Sequence, residues 1–127
     1  VGIRDPDPFE EDVMKTHKIQ SISVDEIHRD PISAYHTIKK FIGNSPVHLS
    51  FDVDVLDPKF ISCTGTPVSE GLHIVPCKFI LDELRKENLV AVDIVELNLE
   101  LGDLLEQRKS IQILQKLFEN YLFQPSC

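Results

Sequence analysis

Two apolar runs constrain the fold of this chain more than any other feature. VHLSFDV at 47–53 and LVAVDIVEL at 89–97 are rich in the β-branched and aromatic residues that favour strands. The second run is almost continuously apolar, as expected for a strand that is covered on both faces. The segment PCKFILDELRKEN at 76–88 lies between them and has a helical pattern. Strands that alternate with helices predict an α/β fold with a mainly parallel sheet.

The remaining segments extend this alternation. KIQSISV at 18–24 alternates like a strand, and PISAYHTIKKFIG at 31–43 has the proline start and glycine stop of a helix. A last helix is predicted over 105–123, with Ile111, Leu114, Leu117 and Tyr121 on one side. The prolines of RDPDPFEEDV at 4–13 argue against regular structure there, and 59–72 is predicted to be a loop. We therefore expect three or four strands and three helices.

Charge and cysteine content narrow the class of protein. The chain has 127 residues and a net charge of −8, which argues against nucleic acid or an anionic membrane as a partner. No apolar run reaches the length of a membrane span. Cys63, Cys77 and Cys127 are widely spaced and lack a metal-binding pattern, so they are predicted to be free thiols in a reducing compartment.

The stretch SFDVDVLDP at 50–58 places three aspartates, Asp52, Asp54 and Asp57, where a buried strand should end. The carboxyl ends of parallel strands are where open α/β sheets hold their ligands. On an extended strand Asp52 and Asp54 would point the same way, and a divalent cation would remove their mutual repulsion. Oxygen ligands suit Mg²⁺ or Mn²⁺. A simpler alternative is a turn in which Asp52 or Asp57 caps the following segment.

Three further motifs accompany this stretch. GIRDPDPFE lies at 2–10, TGTP at 64–67 and DIVELN at 93–98. In order and spacing, the four motifs resemble those of the ureohydrolase superfamily, whose members include arginase and agmatinase. The R-D-x-D-P-x-E pattern at Arg4–Glu10 is similar to that of arginases in particular. The resemblance covers about the first hundred residues and implies an arginase-like α/β fold, a three-layer sandwich with a mainly parallel sheet.

The resemblance implies a manganese enzyme. Asp52 and Asp54 would be ligands of a cluster of two Mn²⁺ ions, which generate a bridging hydroxide near neutral pH. The implied reaction is hydrolysis of L-arginine to L-ornithine and urea by attack of that hydroxide on the guanidinium carbon. Asp54 would also be catalytic, because it would hydrogen-bond the hydroxide during the attack.

The resemblance also implies four substrate-binding residues, Asp7, Glu10, Thr66 and Glu96. Glu96 would pair with the guanidinium group, whose planar donors match a carboxylate. Asp7 and Glu10 would meet the substrate's α-ammonium group, and Thr66 would line the pocket nearby. Each residue also has a simpler explanation: Asp7 in a turn, Glu10 in a solvated acidic run, Thr66 shaping a loop and Glu96 exposed at a strand end.

The resemblance is incomplete in one respect. Arginases bring further metal ligands from G-G-D-H and D-A-H-x-D segments, and neither occurs in this sequence. Residues 1–127 are therefore predicted to be the carboxyl-terminal part of a single arginase-like domain, inactive when isolated. By resemblance, the parent protein would be a homo-oligomer, a trimer, although Val75 and Pro76 replace an Arg-Glu pair that many arginases use in trimer contacts. A cytoplasmic location is expected, with mitochondria as the alternative.

Two alternatives remain open at this point. One is a related ureohydrolase acting on agmatine or another guanidino compound, although the Arg4–Glu10 pattern disfavours agmatinase. The other is a non-catalytic, arginase-like subunit that binds a partner chain or an amino acid without hydrolysing it.

Overall fold

The computed structural model describes residues 1–4 and 6–122. Three helices precede the first strand, strands and helices alternate from there on, and two 3₁₀ turns, Val53–Val55 and Leu99–Leu101, follow the strands. The elements are α1 (Pro8–Thr16), α2 (Val24–Arg29), α3 (Pro31–Ile42), β1 (Val47–Asp52), α4 (Ile74–Leu84), β2 (Leu89–Val95) and α5 (Leu104–Leu122).

The two apolar runs form the two strands, as predicted. β1 and β2 pair in parallel, with Phe51 opposite Ile94 and Asp52 opposite Val95, and α4 provides the crossover between them. Both strands therefore end at the same edge of the sheet. Whatever follows Asp52 and Val95 is brought to one place, and that is how this fold creates its candidate site.

The core lies between the sheet and the helices. Phe51 of β1 is buried and meets Phe118 of α5 edge to face, with ring centroids 5.1 Å apart. Tyr35 of α3 packs against Phe79 of α4 in the same geometry. The side chains of His48 and Asp93 leave the sheet on its other face, where His48 is exposed and Asp93 is half-buried. The residues 0% exposed in the core are Ile27, Val53, Ile61, Cys63 and Leu117.

The prediction of a strand over 18–24 is wrong. The segment contributes one isolated parallel bridge, between Ile3 and Ser23, and helix α2 begins immediately afterwards. Ser23 and Glu26 form a capping box: the Ser23 Oγ accepts from the Glu26 N–H at 3.2 Å, and a Glu26 carboxylate oxygen accepts from the Ser23 N–H at 2.8 Å. This local pair satisfies two helix-end donors, which favours the start of a helix over a strand at this position. The described residues therefore contain two regular strands instead of three or four.

The prediction of irregular structure around the two prolines is also wrong. Pro8 occupies the first turn of α1, where its missing N–H costs nothing and its fixed φ suits a helix. The helix has no buried residue. It is therefore held at its start by capping rather than by packing along its length.

Strand β2 is more exposed than its sequence predicts. Val90 is 64% exposed, Val92 38% and Ile94 42%, so the expectation of a strand covered on both faces fails for the described part of the chain. A groove of about 580 Å³ separates β2 from α5, and Ile111, 39% exposed, lines it. The remaining residues of the predicted α5 face are buried or half-buried: Leu114, Leu117 and Tyr121.

Two further predictions concern the thiols and the membrane. Cys63 and Cys77 are buried and free, in agreement with the sequence, whereas Cys127 lies outside the described residues. Between residues 1 and 122, excluding residue 5, no helix combines the length and apolar character needed to cross a bilayer.

Candidate metal and substrate site

The two predicted metal ligands are brought together by a turn. Asp52 is the last residue of β1, and the chain then enters the 3₁₀ turn Val53–Val55. The Asp52 carboxylate accepts a hydrogen bond from the Asp54 N–H at 3.1 Å. Strand alternation was expected to point the two carboxylates the same way. However, β1 ends at Asp52, so Asp54 is not part of the strand. The turn proposed as the alternative explanation is present, and it still gathers both carboxylates at the sheet edge.

Thr66 joins this pair from the loop that follows. Its hydroxyl donates to a carboxylate oxygen of Asp54 at 3.0 Å. Thr66 and Asp54 are twelve positions apart in the sequence, so this contact connects the TGTP motif with the SFDVD motif. The structure thus places Thr66 beside a predicted metal ligand.

Glu96 lies just beyond the end of β2. Because Val95 is opposite Asp52 in the sheet, the next residue reaches the same edge. Glu96 is exposed and has φ of 63°, a left-handed conformation that costs free energy in a residue other than glycine. Such conformations cluster at functional sites, and this one places an exposed carboxylate near Asp52.

The electrostatics of Asp52 reflect this accumulation of negative charge. Partial burial raises the pKa of Asp52 above its ordinary value, and the charges of Asp54 and Glu96 raise it further, against the opposing effect of the hydrogen bond from the Asp54 N–H. Like charges that resist joint ionisation are the arrangement that a bound cation would relieve. The direction of the shift therefore fits a cation site.

Asp7 and Glu10 have a structural role that sequence analysis had treated only in general terms. Asp7 caps α1 by accepting from the Glu10 N–H at 2.8 Å, and Glu10 returns a contact by accepting from the Asp7 N–H at 3.0 Å. Each carboxylate uses one oxygen in this capping box. Both residues are exposed, so their other oxygens remain available to solvent or ligand.

A cleft of about 640 Å³ connects these segments. Asp52, Asp54 and Thr66 line it together with Glu10, whereas Asp7 and Glu96 are not among the described residues that line it. Helix α1, which contributes Glu10, also contributes the apolar side chains of Phe9, Val13 and Met14. The lining of the cleft therefore combines carboxylates with aliphatic and aromatic side chains, a combination suited to a cationic ligand that carries a hydrocarbon chain.

The donor set fits a divalent cation in part. Carboxylate oxygens are suitable ligands for Mn²⁺ or Mg²⁺, and Asp52 and Asp54 supply them. Within the described residues, however, no group of three or more histidine, cysteine, aspartate or glutamate side chains is arranged to hold a metal. The G-G-D-H and D-A-H-x-D segments, which supply further metal ligands in arginases by the resemblance above, do not occur in this sequence.

Sequence analysis missed one residue of this site, Arg4. Its guanidinium group donates to the carbonyl oxygens of Asp54 and Val55. The available signal was the position of the arginine at the start of the R-D-x-D-P-x-E motif, which had been used only to recognise the family.

Helices packed around a parallel sheet, with carboxylates gathered beyond both strand ends, define an α/β protein with a candidate cation site. The model of the arginase family matches residues 1–118. The chain belongs to the arginase family, as the sequence motifs had indicated.

Individual relatives agree with this assignment. Arginase-1 of Mus musculus is 40% identical over 115 residues, which cover 87% of this chain and 36% of that protein. The crystal structure of Entamoeba histolytica arginase in complex with L-ornithine superposes with a TM-score of 0.81 at 30% identity, covering 92% of this chain and 41% of that one. Proclavaminate amidino hydrolase from Streptomyces clavuligerus gives 0.80 at 26% identity, covering 95% and 42%. These matches confirm the predicted α/β, arginase-like fold class.

The coverage is asymmetric. The chain spans about a third of the length of the curated relatives it matches, while the matches cover most of the chain itself. The family is therefore established for this chain, and the activity of a whole protein containing it is a separate matter.

Proposed function

We propose that this chain forms part of a manganese-dependent ureohydrolase that converts L-arginine to L-ornithine and urea. The observation that carries the proposal is the convergence of separate motifs at one sheet edge: Thr66 contacts Asp54, and Glu96 follows the strand position opposite Asp52. Membership of the arginase family and the likeness to an arginase solved with L-ornithine support the same assignment.

The chain's residues would divide the work as follows. Asp52 and Asp54 would hold Mn²⁺, and the ion when bound would supply Lewis-acid activation of water near neutral pH. The second oxygen of Asp54 would accept a hydrogen bond from the attacking water. Thr66 would orient that carboxylate through the contact it already makes.

Substrate binding would use the remaining carboxylates. Glu96 would pair with the guanidinium group, for which a carboxylate is the geometric complement. Glu10 lines the cleft and would meet the α-ammonium group, with Asp7 contributing through the capping box or through water. The apolar side chains that line the cleft would contact the methylene chain between the two cationic ends of L-arginine.

A different guanidino substrate is the second candidate. The amidino hydrolase from Streptomyces clavuligerus superposes as well as the Entamoeba arginase does, so the fold leaves the substrate open within this class. Competition between L-arginine and agmatine for the same site distinguishes these possibilities, because agmatine lacks the carboxylate but keeps both cationic ends. A non-catalytic subunit is the third possibility and would bind a partner chain or an amino acid without releasing urea.

A chimera tests the proposal directly. Residues 1–118 of this chain would replace the matching segment of mouse arginase-1, and urea release from L-arginine would be measured with Mn²⁺. We expect urea release that is lost in the same chimera carrying Asp54→Asn. A chimera that folds, as judged by circular dichroism and size-exclusion chromatography, yet releases no urea would contradict the proposal.

The isolated chain should behave differently. With no third suitable metal ligand beside Asp52 and Asp54 in the described residues, we expect no urea from L-arginine even at saturating Mn²⁺. Measurable turnover by the 127-residue chain would show that the ligand set has been assigned incorrectly.

A further inference from the structure

Arg4 reaches three backbone carbonyls at the candidate site. One terminal nitrogen of its guanidinium donates to the Val55 carbonyl at 2.8 Å. The other donates to the Asp54 carbonyl at 2.6 Å and to the Val68 carbonyl at 3.3 Å. None of these contacts involves a carboxylate, so the arginine leaves the acidic side chains of the site free.

The three carbonyls belong to two segments, the 3₁₀ turn after β1 and the loop that contains Thr66. Asp54 and Val55 lie in the 3₁₀ turn that carries a predicted metal ligand. Val68 lies in the same loop as Thr66, whose hydroxyl contacts the Asp54 carboxylate. Arg4 itself lies in the segment leading to Glu10. One side chain thus connects three chain segments that line the cleft.

Local structure brings Arg4 close enough to do this. Gly2 is buried and has φ of 75°, and a Cβ atom placed on it would lie 2.4 Å from a methyl carbon of Val55. The Gly2 N–H donates to the Ile22 carbonyl at 2.7 Å, which anchors the segment on its other side. Only glycine permits this approach without strain or displacement of Val55.

We propose that Arg4 is a positioning residue for the Asp54 carboxylate, acting through the backbone of the 3₁₀ turn and through the Thr66 loop. A planar guanidinium group presents several donors in fixed directions, and a lysine ammonium group does not. Arg4→Lys therefore retains the positive charge but loses the fixed arrangement of hydrogen-bond donors. Only the part concerning metal affinity rests on the proposed function.

The first experiment needs no metal. Amide hydrogen exchange, followed by NMR on the 127-residue chain, reports on the Asp54 N–H, which donates to Asp52. In Arg4→Lys we expect the Asp54 amide to exchange at least about tenfold faster while the amides of Phe51 and Leu117 keep their rates. The exposed Arg29 offers a matched control, and Arg29→Lys should leave every rate unchanged.

Two results would overturn the proposal. Unchanged exchange at Asp54 would show that the turn holds its conformation without Arg4. A proportional acceleration at Asp54, Phe51 and Leu117 would show that Arg4 supports the fold as a whole rather than this turn.

The second experiment measures Mn²⁺ binding by water-proton relaxation. We expect Arg4→Lys to weaken Mn²⁺ binding several-fold and Asp52→Asn to weaken it further. Equal affinity of Arg4→Lys and the unmodified chain would contradict a positioning role. If the unmodified chain and Asp52→Asn bind Mn²⁺ equally, the proposed function fails, while the exchange experiment still decides the role of Arg4.

Discussion

The carboxylates at helix starts differ from those at the strand end. At the start of α3, the Ser33 N–H and then the Ser33 hydroxyl lower the pKa of Asp30. At the end of β1, burial and then neighbouring carboxylates raise the pKa of Asp52. Hydrogen bonds favour the ionised form of Asp30, whereas burial and neighbouring carboxylates oppose ionisation of Asp52. A bound cation, as in the proposed function, would relieve that opposition.

Asp7 and Glu10 complicate this division. By sequence they belong with the substrate-binding residues, and by geometry they form a capping box like that of Ser23 and Glu26. Glu10 additionally lines the cleft. Capping and substrate binding use different oxygens of each carboxylate, so one residue can serve both purposes.

The largest expected effect is on Mn²⁺ affinity, which should distinguish the carboxylates at the strand end from those at the helix starts. Asp54→Asn should weaken Mn²⁺ binding to the chain by roughly tenfold or more, because a charged ligand is lost. Asp30→Asn, at a helix start, should leave Mn²⁺ affinity unchanged. Water-proton relaxation during Mn²⁺ titration measures both. Equal losses of Mn²⁺ affinity in the two variants would show that the strand-end and helix-start carboxylates do not differ in metal binding.

Asp7→Ala tests the capping box of α1. Loss of an N-cap side chain typically costs about 1 kcal/mol. Because α1 has no buried residue, this cost should appear as opening of α1 alone. Amide exchange in α1 should accelerate, with little change in the urea midpoint of the whole chain. A large drop in that midpoint would mean that α1 is coupled to the core more strongly than its exposure indicates.

The pH dependence of stability provides a third test. The pKa of Asp30 is lower in the folded chain than in the unfolded chain, so the unfolded state binds more protons in acid. The contribution of Asp30 is therefore present above about pH 4 and is lost as the pH falls through the folded-state pKa. Urea denaturation at several pH values should show a shallower acid dependence for Asp30→Asn, since an asparagine caps without titrating.

The smallest expected effect has the opposite sign. Asp52→Asn removes a partly buried negative charge beside Asp54 and Glu96, and its amide oxygen can still accept from the Asp54 N–H. The free energy of unfolding of the metal-free chain at neutral pH should rise slightly. A decrease in urea denaturation experiments would show that the charge at Asp52 is stabilised by something other than a ligand.

The two paired strands and the family were predicted correctly from the sequence, and the short helices α1 and α2 were not. The apolar runs at 47–53 and 89–97 carry strong, redundant signals, because burial and strand propensity agree. The helix starts at Asp7–Glu10 and Ser23–Glu26 had capping-box spacing, but the nearby prolines and an alternating pattern outweighed it. Recognising that spacing would have predicted both α1 and α2.

The site was predictable in its residues but not in its contacts. Sequence motifs selected Asp52, Asp54, Thr66 and Glu96, whereas the hydrogen bond between Thr66 and Asp54 depends on how a loop folds back. The role of Arg4 depends on backbone carbonyls from two distant segments. A sequence pattern contains no direct information on which carbonyls a side chain will reach, so this residue emerged only from the structure.

The exposed side of β2 has a practical consequence for work with this chain. In the described residues, the outer edge of β2 pairs with no other strand, and Val90, Val92 and Ile94 are all more than a third exposed. An unpaired, apolar strand edge is a template for joining a strand from another molecule. We therefore expect the chain to self-associate through this edge, and its light scattering should rise more steeply with protein concentration than that of a monomer.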